Sequence, residues 1–95
     1  MKQVDVFISR FHRHETTRNT FLLDCAYWFA FILFRRFLKE GAKIMFDKSA
    51  NHFGTMIAGR VYDITGDVTQ DFKWIPWETI NSDDKEQIIQ NYIMF

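Results

Sequence analysis

Asp24-Cys25-Ala26-Tyr27-Trp28-Phe29-Ala30-Phe31-Ile32-Leu33-Phe34-Arg35-Arg36-Phe37-Leu38 is the longest apolar run of the chain, and it holds the only cysteine. From Ala26 to Phe34 no residue is charged, so the segment presents no face made for water, as expected of a helix buried in a core. Strand is the rival reading, because Tyr, Trp, Phe and Ile suit strands. The run is long for a strand, however, and shorter than the roughly 18 apolar residues a membrane span needs. Its ends read as helix ends. Asp24 offers an N-cap side chain. Arg35, Arg36 and Lys39 fall where cations suit the helix dipole, and Gly41 follows as a C′ residue. Cys25 is thereby expected in the first turn of a buried helix, a position that favours a thiolate.

Outward from this segment the chain reads as one α+β domain, residues 1–95. Val4, Phe7, Ile8 and Phe11 recur at helical spacing and predict a short amphipathic helix over 3–12, packed on the central one. Residues 12–20 are polar and aperiodic, a long loop for so small a domain. After Gly41 the period becomes alternating. Strands are expected at 43–46, 52–57 and 60–65, with a turn at 47–51 and a tight hairpin turn at Ala58-Gly59. Gly66-Asp67 closes the third strand. Trp74-Ile75-Pro76-Trp77 surrounds the only proline and adds at most a short edge strand. Asp83 and Asp84 suit a helix N-terminus. Ile88, Ile89, Tyr92 and Ile93 mark a C-terminal helix of about three turns. The expected architecture is N-terminal helices on a small antiparallel sheet, followed by a C-terminal helix.

Composition bounds the function. Of the 95 residues 47% are hydrophobic and eleven are Phe, which is a core-forming sequence. Twelve Lys and Arg balance twelve Asp and Glu, which gives no support for nucleic-acid binding. Neutral charge with many aromatics points to limited solubility or to a partner that covers some surface, and a chain so short and rich in Phe is compatible with a homodimer. One cysteine excludes an internal disulfide, as is usual in a reducing compartment. The N-terminus lacks an apolar signal segment. A cytoplasmic protein away from membranes is expected.

The hairpin carries the chemistry. A two-residue loop at Ala58-Gly59 pairs Met56 with Val61, Gly54 with Asp63 and His52 with Thr65, so these six side chains share a face. His52 and Asp63 become diagonal neighbours, and Gly54 leaves space beside them. A carboxylate behind a histidine fixes its tautomer and stabilises its protonated form. A helix-start cysteine is a candidate nucleophile. If this face packs on the start of the Cys25 helix, Cys25, His52 and Asp63 form a triad. The backbone N–H of Cys25 is then one oxyanion donor, with Asn19 or Thr20 as candidates for another. Each residue alone has a plainer reading: Cys25 as packing, His52 as a turn histidine, Asp63 as an Asx cap of the Thr65-Gly66 turn. Asp24 beside the thiol opposes its ionisation. His12, His14 and Cys25 match no zinc spacing, no phosphate loop is present, and neither metal nor cofactor is expected.

The segments around Cys25, then Asn51-His52-Phe53, then Gly59-Arg60-Val61-Tyr62-Asp63-Ile64-Thr65-Gly66, resemble the minimal papain-like cysteine peptidase fold. They are similar to its transglutaminase-like branch and to small bacterial and phage papain-fold proteins. The order Cys25, His52, Asp63 follows that superfamily's pattern, over roughly residues 22–67. The resemblance implies a cysteine hydrolase or acyl transferase acting on an amide, isopeptide or thioester of a protein or peptide. The alternative is a catalytically silent binding or inhibitor protein on the same scaffold, with Phe72, Trp74, Trp77 and Phe95 as its partner surface.

Overall fold

The computed structural model describes residues 2–11 and 26–90. Among the described residues three α-helices, α1 (Lys2–Phe11), α2 (Ala26–Arg36) and α3 (Ser82–Ile88), accompany five strands. The strands are β1 (Lys43–Asp47), β2 (His52–Ile57), β3 (Arg60–Asp63), β4 (Gly66–Asp67) and β5 (Ile75–Pro76), in the spatial order β4-β3-β2-β1-β5. Every pairing is antiparallel, so the class is α+β. No helix among the described residues is long and apolar enough to cross a membrane.

The hairpin register is the expected one, with Met56 opposite Val61 and Ile57 opposite Arg60. Ala58 (φ 52°) and Gly59 (φ 80°) both lie at positive φ, as a type I′ turn between right-twisted strands requires. The third strand stops at Asp63, short of the expected Thr65. The chain turns there, and Gly66-Asp67 comes back as β4 to pair with Asp63 and Tyr62. Pro76 sits on the edge strand β5, opposite Met45, where its missing N–H costs no ladder bond.

Alternation along the strands defines two sheet faces. One carries Ile44, Phe46, Phe53, Thr55, Ile57 and Tyr62. It packs on α1 and α2 through Val4, Ile8, Phe29, Ala30 and Leu33, all nearly or fully buried. The Thr55 hydroxyl donates to the Ala30 carbonyl at 2.7 Å and ties sheet to helix. The other face carries Met45, Asp47, His52, Gly54, Met56, Val61 and Asp63. Val68, Phe72 and Trp74, from the segment after β4, cover part of it.

α2 is not buried all round. Trp28 is 45% exposed and Phe31 36%, because the sheet lies on one side only and the helix's apolar content exceeds what that side can cover. The helix also ends earlier than its apolar run. Phe37 leaves the α-helix and Leu38–Glu40 tighten into a 3-10 turn. Gly41 (φ 75°) terminates that turn and donates its N–H to the Leu38 carbonyl. α3 begins at Ser82, capped by Asn81, whose side chain accepts from the Asp84 N–H at 2.8 Å. The expected Asp24 cap, the loop at 12–20 and the last turn with Tyr92 and Ile93 lie outside the described residues.

Candidate functional site

His52 opens β2, and the turn before it is built by Asp47. The buried Asp47 carboxylate accepts from the Ser49 hydroxyl at 2.7 Å, from the Ser49 and Ala50 N–H groups, and from the Lys73 N–H at 3.0 Å. These bonds, led by the Ser49 hydroxyl, hold its carboxyl below the usual carboxylate range. They also bring the segment after β4 onto the His52 face.

Asp63 ends β3 and is 5% exposed. Its Oδ2 lies 2.8 Å from His52 Nε2. Its Oδ1 accepts from the Thr65 N–H at 2.8 Å and from the Thr65 hydroxyl. Burial by itself would raise the Asp63 carboxyl. The hydrogen bonds from His52 and Thr65 together outweigh it and leave the group below its ordinary value. An ionised Asp63 accepts from Nε2–H, so the neutral imidazole carries its proton on Nε2 and presents a bare Nδ1. Among the described residues no hydrogen bond engages Nδ1.

The ring of His52 is held from the side by Phe72 (centroids 4.9 Å apart) and Trp74 (5.9 Å). Trp74 is fixed in turn by its indole N–H, which donates to the Val68 carbonyl. Gly54 makes this packing possible: a Cβ there would come within 2.7 Å of Val61 and 3.1 Å of Trp74. An open cleft of about 370 Å³ remains beside the pair, lined by Ala50, His52, Asp63, Thr65, Val68, Asp71 and Phe72.

The other expected residues distribute unevenly. Cys25, Asn19, Thr20 and Phe95 lie outside the described residues. Phe72 and Trp74 belong to the His52 face. Trp77 lies on the opposite face, against Phe46 (5.5 Å), Phe53 (5.1 Å) and Tyr27 (6.4 Å). The three aromatics are half-buried, Phe72 and Trp74 on one side of the sheet and Trp77 on the other. The packing condition set for the triad also differs from what is seen: α2 lies on the Phe53 face, across the sheet from His52 and Asp63. Its direction is informative. Tyr27 meets Phe53 (5.2 Å) and Ala30 meets Thr55, so α2 runs alongside β2 with its first turn at the His52 end.

The roles of Phe72 and Trp74 beside His52 were not legible from spacing. The Thr65 lock on Asp63 was. Asp47-Lys48-Ser49, Asp63-Ile64-Thr65 and Asp67-Val68-Thr69 share the pattern Asp-x-Ser/Thr, and each Asp Oδ1 accepts from both the N–H and the hydroxyl two residues on. No cluster of three His, Cys, Asp or Glu among the described residues has metal-binding geometry. No family model matches this chain, and neither a curated protein nor a solved structure matches it.

Proposed function

We propose that the chain is a cysteine hydrolase or acyl transferase with Cys25 as nucleophile, His52 as base and Asp63 as the group that orients His52, on a papain-like core. The observation that carries the reading is the largely buried His52–Asp63 pair at 2.8 Å, bonded through Nε2 with no hydrogen bond to Nδ1 from the described residues. Nδ1 takes the thiol proton of Cys25. The thiolate adds to the carbonyl of an amide, isopeptide or thioester. The imidazolium returns the proton to the leaving nitrogen or sulfur as its bond to the carbonyl carbon breaks, which leaves the acyl group on Cys25. Water or an amine then attacks the thioester, gives its proton to Nδ1 and releases Cys25. The start of α2 at the His52 end of β2 supports this. Asp63, held ionised, stabilises the imidazolium between the two steps.

The test is the alkylation rate of Cys25 against pH, in wild type and in His52→Ala. The reading predicts a thiolate well below the reference pKa of about 8.5, lost in His52→Ala. Equal, slow alkylation in both proteins refutes it. A second reading, a catalytically silent scaffold that binds a protein partner, is favoured by the exposure of Trp28 and Phe31 on the outer side of α2. In that case Cys25→Ala leaves the biological effect intact.

A further inference from the structure

At the other end of α2, about 16 Å along an eleven-residue helix, α1 and α2 enclose a groove of about 370 Å³ lined by Lys2, Gln3, Val6, Phe7, Arg10 and Arg36. Lys2, Val6 and Arg10 follow one another at i, i+4 and i+8, so they form a single stripe along α1 about 12 Å long with a cation at each end. Val6, between them, is 47% exposed. Arg36 forms the opposite wall, its guanidinium 5.8 Å from the centre of the Phe7 ring and 5.1 Å from that of Phe37. Among the described residues no carboxylate lines the groove. The one acid on α1, Asp5, is exposed, and no ion pair among the described residues engages Lys2, Arg10 or Arg36.

The sequence is polarised in the same sense. Residues 1–43 hold eight Lys and Arg against four Asp and Glu; residues 44–95 hold four against eight. A basic rim over an apolar floor, concave and with cations about 12 Å apart, is complementary to a peptide whose acidic side chains flank an apolar one. We propose that this groove binds an acidic, amphipathic peptide segment of a protein partner. The proposal is independent of the chemistry assigned to Cys25.

The probe is a fluorescein-labelled peptide of about twelve residues alternating Glu and Leu, followed by anisotropy, with a Lys-Leu counterpart and vesicles of anionic phospholipid as comparisons. Wild type is expected to bind the Glu-Leu peptide, not the Lys-Leu one, and to weaken as salt rises. Lys2→Glu combined with Arg10→Gln, both exposed and remote from His52, is expected to bind about tenfold more weakly or worse, with unchanged circular dichroism and unchanged Cys25 alkylation. No binding by wild type, affinity independent of salt, undiminished affinity in the double variant, or a preference for the vesicles each overturns the proposal. The salt series needs no variant, so a misfolded variant does not rescue it.

Discussion

Asp63 uses its two oxygens for two different jobs, one for the His52 ring and one for the Thr65 turn. Removing the charge in Asp63→Asn weakens both, and a hydrogen bond to a charged group is worth about 1.5–3 kcal/mol. A loss of about 2 kcal/mol in the unfolding free energy, read from urea titrations, is expected. Thr65→Val removes only the hydroxyl's bond and leaves the histidine pair, so about 1 kcal/mol is expected. If Cys25 pairs with His52, its alkylation changes strongly in Asp63→Asn and little in Thr65→Val. Both roles of Asp63 were readable from sequence, as competing options: an orienting carboxylate, or an Asx cap. They do not compete, because a carboxylate has an oxygen for each. The aromatic wall of Phe72 and Trp74 was not readable, since they come from a segment with no period to assign it to a face.

Among the elements, the β2–β3 hairpin shows how local chemistry and packing divide the work. Ala58 sits at φ 52° without the help a Gly or Asn would give, and the left-handed region costs an L-residue roughly 1–2 kcal/mol. Ala58→Asn is therefore expected to raise stability by about 0.5–1 kcal/mol, read as a higher unfolding midpoint. Gly54→Ala has the opposite outcome. Its methyl group meets Val61 at 2.7 Å and Trp74 at 3.1 Å, and overpacking of this kind costs about 1–3 kcal/mol. Trp74 fluorescence should shift as the ring leaves His52. The strands β1 and β2 were legible almost to the residue, because alternation, turn residues and a short loop agree. α2 was legible as a helix but not as half-exposed: its periodicity is nearly absent, and only the one-sided sheet decides which residues are covered.

At the scale of the molecule, acid is the informative stress. Asp47, Asp63 and Asp67 all lie below their ordinary values in the fold, Asp67 down to about 2 chiefly through its bond from Arg60. A carboxylate so depressed binds fewer protons when folded than when unfolded. Its contribution is full above the unfolded pKa of about 3.9 and lost as pH falls through the folded value. Stability measured in urea should fall steeply below about pH 4. Asp63→Asn should flatten part of that fall, because it removes one of the three groups. The side of the sheet that meets the helices could not be read from the strands. Met45, Met56 and Val61 make one face apolar enough to be a core, as Phe46, Phe53 and Ile57 do the other. The choice falls to the larger side chains, which match the aromatic helix.

The sheet also ends in a particular way. Its outermost strands are two residues each, and one of them contains Pro76. A neutral chain with eleven phenylalanines has little electrostatic repulsion to keep copies apart, and an open sheet normally exposes rows of unpaired N–H and C=O groups that template aggregation. Here each margin gives a second chain almost no backbone to extend. The sheet is guarded against edge-to-edge fibre growth by brevity and proline, together with the charge of Asp67 on β4.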